Sequence, residues 1–473
     1  MPLASDPFLP LATLFERIAP EREALVHGEE RWTFGDLDAR SAQLARWLAS
    51  QGVVADDLVA FALPNGPEFL ALTFAIYRAG ATPAPLSPKL PEAERDAILA
   101  TMQPRCMVDA SALQHLGKTD ADLPQLHIAA SWKACTSGGS TGRPKVIVDG
   151  RAAGFPTSTD FIAIPKASRV LVPGPLYHNA PFSAAVFALW RGNAVVTMPR
   201  FDATKSLALI ASERIEWALM VPTMMHRIMA LPPSDLDLNC WKTVVHTAAP
   251  MAAWLKHDWI ARFGAEHVWE VYGATEGLVR CWIGGREWLE RPGSVGRPFG
   301  GARIRITGPD GTEMPAGELG EIYAMPASGP RTTYRYIGAE RRIDAEGWES
   351  VGDMGRVDAD GYLFLADRKD DLIISGGVNV WPAEVEAALL AHPAIASCAV
   401  HGMPHPDLGQ TVHAVIESAE PLSLDDVGLF LSTRLARAKH PRSIALTSAP
   451  VRDDAGKFRK PRSIDQAQPQ EPA

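Results

Sequence analysis

Short apolar segments that end in Gly or Pro recur along the first three hundred residues, and helical segments separate them. Four of these segments are RVLVPG, NAVVTMP, WALMVP and TVVHTAAP, and helical stretches such as SLALIASERI lie between them. Short buried strands that alternate with helices favour parallel sheets with helices packed on their faces. The pattern therefore predicts an α/β fold for this part of the chain.

The first hundred residues follow the same rule. TFGDLDARSAQLARWLASQG begins with Thr33 and has Asp36 three residues later, which is the signature of a capping box at a helix start. LVAFAL and ATPAPL predict strands on either side of a mostly buried helix, GPEFLALTFAIYRAG. Strand–helix–strand units at this spacing indicate parallel pairing.

From about residue 301 the pattern becomes antiparallel. ARIRITGPDGTEMPAGELGEIYA alternates apolar and polar residues between turn residues, and a hairpin is predicted at 358–361. After residue 370 we expect a helix near 382–391 and strands near 397–401 and 412–417. A second capping box, Ser423 with Asp426, predicts a helix over 424–438.

A chain of 473 residues is too long for one hydrophobic core, so these patterns are grouped into domains. We expect a large N-terminal domain over 1–367, built of mostly parallel sheets flanked by helices plus a β-rich subdomain. A hinge at 368–370 leads to a small mobile α+β C-terminal domain over 371–473. The polar tail from about residue 463 is expected to be disordered.

Charge and composition exclude several classes of protein. The formal net charge is −9 and no basic block stands out, which disfavours a nucleic-acid partner. The apolar runs are too short to cross a bilayer, and the N-terminus lacks the basic region of a signal peptide. His401 and His405 stand among prolines and are predicted to be surface-loop histidines. The cysteines are widely spaced, which favours reduced thiols in a cytoplasmic protein over a disulfide framework: Cys106, Cys135, Cys240, Cys281 and Cys398.

The stretch TSGGSTGRPKVIV, residues 136–148, is rich in hydrogen-bond donors. Glycines let successive N–H groups converge on an anion, and the hydroxyls and the lysine add further donors. A Walker A loop is excluded, because Gly142 is followed by Arg143 and Pro144, where that loop would begin a helix. Taken alone, the stretch is either a phosphate-binding loop or a mobile surface loop.

Five further motifs favour the first of these interpretations. VYGATEG, GELGEIY, GWESVGD, DRKDDLIISGGVNVWPAEVE and DDAGKFRK follow SGGSTGRPK in this order. Together the six blocks resemble the ordered signatures of the adenylate-forming (ANL) superfamily, in its acyl-CoA synthetase branch, over roughly residues 10–460. The resemblance implies that a carboxylic acid reacts with ATP to give acyl-AMP and pyrophosphate, and that the acyl group then passes to the thiol of CoA. Mg²⁺ is the implied metal.

The resemblance also implies the residues of the nucleotide site. A phosphate-binding loop would consist of Ser137, Gly138, Gly139, Ser140, Thr141, Gly142 and Lys145. Adenine and the α-phosphate would contact Ala248, Ala249, Pro250, Tyr272, Gly273 and Thr275. Glu276 would ligate Mg²⁺, since carboxylate oxygens suit this ion. Asp353 could accept hydrogen bonds from both ribose hydroxyls, with Arg368 beside it.

The remaining implied roles belong to the acyl group, the thiol and domain motion. Lys457 would stabilise the charge that spreads in the adenylation transition state, and His178 would lie beside the reacting carboxylate. Asp370 falls on the hinge position, and Gly376 and Gly377 on the loop that lines the thiol tunnel. Walls of the acyl pocket are assigned from the family to Asn179, Phe182, Val221, Thr223, His246 and Ala274.

The substrate and the acceptor stay open at this point. The motifs CTSGGSTGRPKVIV and LYHNAPF are similar to those of ligases for bulky apolar acids of the alicyclic, terpenoid or steroid-like kind. A separate carrier protein is an alternative acceptor, and a member that runs only the thioester half-reaction is another alternative. A nucleotide-binding regulator without catalysis is a non-enzyme alternative. A homodimer is also compatible with the sequence.

Overall fold

The computed structural model describes residues 6–114, 121–138, 144–160, 163–452, 456 and 458. The helices of these residues are α1 (Phe34–Ser50), α2 (Pro67–Arg78), α3 (Glu92–Met102), α4 (Ala110–Gln114), α5 (Asn179–Trp190), α6 (Ala203–Ser212), α7 (Pro222–Met229), α8 (Ala253–Phe263), α9 (Gly285–Glu290), α10 (Pro382–Leu389) and α11 (Leu424–Leu431). Short 3-10 helices cover Leu11–Glu16, Lys369–Asp371 and Arg437–Lys439.

The strands before residue 300 are β1 (Phe8–Pro10), β2 (Glu23–His27), β3 (Glu30–Thr33), β4 (Leu58–Ala62), β5 (Thr82–Pro85), β6 (Cys106–Asp109), β7 (Ala134–Gly138), β8 (Pro144–Asp149), β9 (Gly154–Pro156), β10 (Arg169–Val172), β11 (Ala194–Thr197), β12 (Trp217–Met220), β13 (Thr243–His246), β14 (Val268–Gly273), β15 (Arg280–Gly284) and β16 (Arg297–Pro298). Those that follow are β17 (Arg303–Thr307), β18 (Gly320–Met325), β19 (Tyr334–Ile337), β20 (Arg342–Ile343), β21 (Glu349–Val357), β22 (Leu363–Arg368), β23 (Ile373–Ser375), β24 (Val378–Val380), β25 (Ile395–His405), β26 (Gly409–Ser418) and β27 (Ser443–Thr447).

The largest sheet is built on the apolar segments that the sequence pattern picked out. Its strand order is β16-β15-β14-β13-β12-β10-β11-β2-β3, and the run from β14 to β2 is parallel throughout. The antiparallel pairs lie at its two ends, where β14 pairs with β15, β15 with β16, and β2 with β3. The predicted parallel α/β architecture is confirmed.

A smaller parallel sheet, β5-β4-β6, continues the same architecture. The predicted capping box begins α1: Thr33 Oγ1 accepts from the Asp36 N–H, and the Asp36 carboxylate accepts from the Thr33 N–H. Helix α2 is buried along almost its whole length, as its apolar sequence predicts. Both helices contribute side chains to one large core that also includes α5.

The donor-rich stretch forms part of a separate sheet, β19-β8-β7. Strands β7 and β8 are antiparallel, so that Ser137 lies opposite Lys145 in the register. Because Pro144 begins a strand and no helix, the exclusion of a Walker A loop is confirmed. Strand β19, almost two hundred residues further along the chain, pairs with the other edge of β8.

The antiparallel region after residue 301 forms the sheet β17-β18-β21-β20, and β22 pairs with β21. The expected hairpin is present, since the Gly361 N–H donates to the Asp358 carbonyl at 3.0 Å between β21 and β22. This β-rich part contributes to a hydrophobic cluster that also contains Cys281 and Ile147 of the preceding sheets.

The C-terminal part has its own sheet and its own core. Its strand order is β24-β23-β26-β25, with β27 parallel to β26, and α10 and α11 pack with it. The prediction of one helix over 424–438 is wrong, because α11 ends at Leu431. Its last turn closes locally, with the Ser432 hydroxyl donating to the Leu429 carbonyl, and a 3-10 turn follows.

The histidines near residue 400 also differ from their prediction. His401 lies inside β25, where it is 6% exposed, and His405 ends the same strand. The His401 ring lies 5.1 Å from that of His413 on β26 and stacks on Phe458 at 5.7 Å. The prolines that suggested a loop are accommodated by the end of a long strand.

Neither a membrane-spanning helix nor a His, Cys, Asp and Glu cluster for a metal ion is present in the part of the chain that the structure describes. No helix there is long and apolar enough to cross a bilayer. No cluster of three or more His, Cys, Asp or Glu side chains there could hold a metal ion. The division of the chain at 367–371 stays a prediction.

Candidate functional site

Three side chains from distant parts of the sequence meet beside the β7–β8 hairpin. Lys145 Nζ lies 3.2 Å from Glu276 Oε1 and 3.1 Å from the Tyr336 hydroxyl, which donates to the same Oε1 at 2.6 Å. Lys145 lies on β8, Tyr336 on β19, and Glu276 in the turn between β14 and β15. The strand pairings therefore bring a cation, a phenol and a carboxylate together at the end of the β7–β8 hairpin.

Burial keeps the Tyr336 phenol of this cluster protonated. Glu276 is only 5% exposed. Burial and the adjacent Glu276 charge raise the pKa of Tyr336, so the phenol stays protonated and remains a donor. Every contact that the described residues make with the carboxylate goes to Oε1, and none of them hydrogen-bonds Oε2. A buried carboxylate with one oxygen unengaged by the described residues fits a hard cation such as Mg²⁺.

A second cluster joins the end of β14 to the β-rich part. The Tyr272 hydroxyl donates to Asp353 Oδ2 at 2.8 Å, and Arg368 Nε lies 3.4 Å from Asp353 Oδ1. Asp353 and Arg368 are partners in the β21–β22 register. Burial, followed by the Asp353 charge, raises the pKa of Tyr272 well above its usual value, so this phenol also stays neutral.

The segment after β13 lies alongside these clusters. The Thr247 hydroxyl donates to the Val271 carbonyl at 2.7 Å, which joins the segment to β14. Ala248 has φ +76°, a left-handed conformation that costs an L-residue about 1–2 kcal/mol. Ala249 and Pro250 follow it. Gly273 ends β14, and Ala274 and Thr275 lie in the β14–β15 connection. Such strain is retained where surrounding contacts fix the backbone, and it concentrates at functional sites.

A buried lysine, Lys133, contacts side chains in the first turns of α5. It was not among the residues predicted from the sequence. Lys133 Nζ contacts Asn179 Oδ1, lies 2.9 Å from the Ser183 hydroxyl and 4.0 Å from Asp149 Oδ2, and Lys133 is 4% exposed. Burial lowers the pKa of Lys133 to about 8, although the charge of Asp149 opposes this shift. His178 directly precedes α5, with its ring 4.6 Å from that of Tyr177.

A buried ion pair lies next to His246. Lys256 Nζ and Glu270 Oε2 are 2.5 Å apart, and His246 Nε2 lies 3.7 Å from the same oxygen. His246 is 0% exposed, and neither ring nitrogen has a hydrogen-bond partner among the described residues. Burial, reinforced by the Lys256 charge, holds the pKa of His246 well below its ordinary value, so the imidazole is neutral.

The other residues assigned to the acyl pocket lie in two places. Phe182 is fully buried in the core, with its ring 6.1 Å from Trp132 and 6.3 Å from Phe69. Val221 and Thr223 lie where β12 leads into α7. The C-terminal part reaches this second place, because a Cβ added at Gly456 would lie 3.4 Å from Thr223 Oγ1.

Asp370, Gly376 and Gly377 follow the Arg368 that pairs with Asp353. Asp370 is exposed in the 3-10 turn after β22, and Arg342 Nη2 lies 3.6 Å from its carboxylate. Gly376 and Gly377 form the β23–β24 turn, with φ values of +56° and +81°. Within the described residues, no recorded contact joins either glycine to the Lys145–Glu276–Tyr336 cluster.

Several residues assigned from the sequence lie outside the part of the chain that the structure describes. Gly139, Ser140, Thr141, Gly142 and Lys457 are not among the described residues. Ser137 and Gly138 are placed by their backbone at the end of β7.

Comparisons with known proteins agree with this geometry. The model of the AMP-binding enzyme family matches residues 15–134 and 134–336, and that of the AMP-binding enzyme C-terminal domain matches residues 384–457. A feruloyl-CoA synthase from an Amycolatopsis species is 34% identical over 478 residues, which covers 94% of this chain and 96% of that protein. The long-chain-fatty-acid–CoA ligase FadD13 of Mycobacterium tuberculosis is 27% identical over 484 residues, covering 94% of this chain and 95% of the other.

Solved structures show the same fold. The o-succinylbenzoate-CoA synthetase MenE of Bacillus subtilis, in complex with its acyl-adenylate intermediate, matches with a TM-score of 0.80 and 25% identity. That match covers 96% of this chain and 97% of the other. The ATP-bound MatB of Rhodopseudomonas palustris matches with a TM-score of 0.78 and 25% identity over 95% of this chain and 96% of the other. The chain therefore belongs to the AMP-binding enzyme family of the adenylate-forming superfamily, in its AMP-forming acyl-CoA synthetase branch.

The buried Lys133 predicts a particular dependence of stability on pH. The unfolded chain keeps the proton of this lysine up to about pH 10.5, whereas the folded protein releases it near pH 8. Between these values the unfolded state binds more protons, so the free energy of unfolding rises with pH, by up to about 3 kcal/mol from this group.

Lys133→Met should remove this rise, measured by urea unfolding between pH 7.5 and 10.5. The exposed Lys205→Met variant is the control. Parallel pH profiles for wild type and Lys133→Met would contradict the lowered pKa.

Proposed function

We propose that this protein joins a bulky, largely apolar carboxylic acid to CoA in two half-reactions. The first converts the acid and ATP into acyl-AMP and pyrophosphate, and the second transfers the acyl group to the CoA thiol. The observation that carries the proposal is the meeting of Lys145, Glu276 and Tyr336 at the end of a donor-rich hairpin. The full-length similarity to acyl-CoA ligases supports the same reaction.

The nucleotide would lie across the two clusters. The hairpin loop and Lys145 would hold the β- and γ-phosphates, and Glu276 would be the protein ligand of Mg²⁺. When bound, that ion supplies positive charge to the phosphate oxygens. Asp353, whose Oδ1 lies 3.4 Å from Arg368 Nε, would accept from the ribose hydroxyls, while Tyr272 would stack against adenine. Thr275, one residue before Glu276, would contact the α-phosphate.

The acyl group would lie between α5 and the β12–α7 junction. Val221 and Thr223 supply small side chains there, and Asn179 supplies an amide that Lys133 holds in place. His178 would border the reacting carboxylate. The buried His246, neutral and without a hydrogen-bond partner among the described residues, would accept a polar substituent of the acid without adding a charge.

The two half-reactions require the C-terminal part to present different residues. We propose that 1–367 and 371–473 move as two domains about Asp370, within a hinge at 368–370. None of the residues of the 3-10 turn at this position is buried, which supports the hinge. Its ion pairs, Lys369 with Glu321 and Asp370 with Arg342, would break as the domain turns. Gly456 lies against Thr223 in the structure, and we propose that this orientation serves the first half-reaction. The opposite orientation would bring Gly376 and Gly377 to the thiol.

CoA is the proposed acceptor, with a carrier protein as the alternative. The relatives that the chain resembles over their full length are named as CoA ligases, which favours CoA. All five cysteines are free thiols, in keeping with a reducing compartment such as the cytoplasm. Measurement of the oligomeric state in solution would test for a homodimer.

A panel of acids tests the proposed function directly. Ferulate, palmitate, o-succinylbenzoate, indoleacetate, cholate and abietate are each supplied with ATP, Mg²⁺ and CoA, and mass spectrometry detects acyl-AMP and acyl-CoA. We expect both products from at least one cyclic acid and little from short acids such as acetate. Acyl-AMP without acyl-CoA would favour a carrier-protein acceptor. ATP binding without an adenylate from any acid would favour the regulator.

We expect a substitution of Lys457 to affect the two half-reactions differently. We expect Lys457→Ala to reduce acid-dependent pyrophosphate exchange by about 10²- to 10³-fold, as the loss of one charged contact to the transition state does. Thioester formation from supplied acyl-adenylate and CoA should be nearly unchanged. Lys439→Ala, on the same domain, is the control for a general loss of positive charge. Equal loss of both half-reactions with an intact fold would contradict the assigned role.

The proposed hinge predicts that a proline at position 370 slows the two half-reactions to different extents. Asp370→Pro fixes φ near −65° and should favour one domain orientation, so one half-reaction should fall by at least about tenfold relative to the other. Asp370→Ala removes only the carboxylate and serves as the control. Rapid-quench measurements give the rate of each half-reaction. Unchanged turnover of the Asp370→Pro variant would contradict the hinge assignment.

A further inference from the structure

We propose that Asn179 is a specificity-determining residue, which selects acids whose carbon skeleton carries a hydrogen-bond-accepting oxygen, such as an ether, ketone or hydroxyl oxygen. The side-chain amide of Asn179 donates to that oxygen, and Lys133 is the positioning residue that orients the amide. The inference rests on the proposed function, since it names a chemical feature of the acid that this function activates.

The orientation of the Asn179 amide follows from the chemistry of its neighbours. Lys133 Nζ contacts Asn179 Oδ1, and an ammonium group can only donate hydrogen bonds. The Ser183 hydroxyl donates to the same oxygen at 3.4 Å, and Cys135 Sγ lies 3.9 Å from it. Rotating the amide by 180° would place its two N–H groups against the ammonium. The carbonyl oxygen therefore faces the lysine, and the NH₂ group faces away from it.

Lys133 is itself held in place. It is 4% exposed, and its Nζ lies 2.9 Å from Ser183 Oγ and 4.3 Å from the centre of the Trp132 ring. Asp149 Oδ2 is 4.0 Å from Nζ, but Arg151 pairs with both oxygens of that carboxylate, at 2.9 and 2.7 Å. The short contacts of the ammonium therefore go to the first turns of α5.

The NH₂ group of Asn179 is left for a ligand. Within the part of the chain that the structure describes, no recorded hydrogen bond starts at Asn179 Nδ2, whereas two donors occupy Oδ1. This nitrogen does not belong to the fully buried polar atoms that lack a partner, and Asn179 as a whole is half-buried, so the NH₂ group is accessible. An amide fixed on one side and accessible on the other is a preorganised donor.

Asn179 lies where sheets of this kind bind their ligands. It is the first residue of α5, which follows the carboxyl end of β10, and α7 follows that of the neighbouring strand β12. Ligands of open α/β sheets lie in the crevice outside these strand ends. A Cβ added at Gly174 would lie 3.2 Å from Pro181 Cγ on α5 and 3.6 Å from Met224 Cε on α7, so the two helices approach each other there.

A single donor beside apolar side chains can discriminate between acids. Pro181, Val221 and Met224 at the starts of α5 and α7 offer no side-chain hydrogen bond to a polar substituent. An acid without an accepting oxygen would displace water from the Asn179 amide and leave its N–H groups unpaired, which costs about tenfold or more in kcat/KM. An acid that carries the oxygen avoids this loss.

Three cholanic acids that differ only in their oxygen substituents test the inference. Cholate carries hydroxyl groups, dehydrocholate carries ketones at the same positions, and 5β-cholanate carries neither. A second series consists of hydroxy-, methoxy- and unsubstituted cinnamates. The kcat/KM of acid-dependent pyrophosphate exchange is measured at pH 7, where Lys133, with a pKa of about 8, is mostly protonated. In the series with the larger signal, wild type should prefer both oxygen-bearing acids by about tenfold or more.

Asn179→Asp is the decisive variant, because it keeps the size of the side chain and its contact with Lys133. Its outer oxygen replaces the NH₂ group and can accept but not donate. We expect the keto or methoxy acid to lose its advantage by about tenfold or more, whereas the hydroxyl acid, which can donate, keeps most of its own. Asn179→Leu should remove both preferences. Asn239→Asp, the same change at an exposed asparagine, is the matched control and should leave the ratios unchanged.

Lys133→Met tests the positioning role. Asp149 keeps Arg151 as its partner, so this variant leaves no buried carboxylate unpaired. The Asn179 amide can then rotate, and the preference for oxygen-bearing acids should fall towards that of Asn179→Leu. Combining Lys133→Met with Asn179→Leu should give the same ratios as Asn179→Leu alone, because the lysine acts through the amide.

The outcomes separate this inference from the proposed function. Equal kcat/KM for the three acids in wild type, or unchanged ratios in Asn179→Asp, would overturn the inference. A uniform fall for all three acids in folded Asn179 variants would overturn it too, since the amide would then serve the reacting carboxylate. The absence of pyrophosphate exchange with every acid of the panel would instead refute the proposed function.

Discussion

The hydrogen bonds and ion pair that Tyr336 and Lys145 make with Glu276 are the constraint on which the rest of the site depends. Lys145 and Tyr336 lie on neighbouring strands, and Glu276 reaches them from the central sheet, so the contact joins two sheets. A buried carboxylate is stable only if it is paired and hydrogen-bonded, and here both partners are supplied from the sheet β19-β8-β7. The same contact fixes the end of the β7–β8 hairpin beside Glu276.

Buried polar groups recur around this site, and each one limits the motion of a functional segment. Lys133 holds the first turn of α5, the Lys256–Glu270 pair lies beside His246, and the Tyr272–Asp353 bond joins the end of β14 to β21. Such groups add little net stability compared with apolar residues of the same shape, but they fix one arrangement of the backbone. Catalysis by positioning and electrostatics requires that kind of rigidity.

The C-terminal part has a core of its own. Its contacts with the larger part include the hydrogen bond that Trp254 Nε1 donates to the Ala387 carbonyl at 3.2 Å. The proposed hinge motion would change such contacts, because interfaces between domains of one chain commonly permit relative motion.

Local patterns in the sequence determined the helices and strands, the parallel sheet, both capping boxes and the absence of a Walker helix, because these depend on neighbouring residues and their periodicity. Family motifs selected Lys145 and Glu276 as candidates. Only the tertiary structure decided that Tyr336 would join them and that Lys133 would be buried among polar partners. It also ended α11 early and placed His401 inside a strand. Pairing between strands almost two hundred residues apart, and burial of a charged side chain, depend on long-range packing, which no short stretch of sequence specifies.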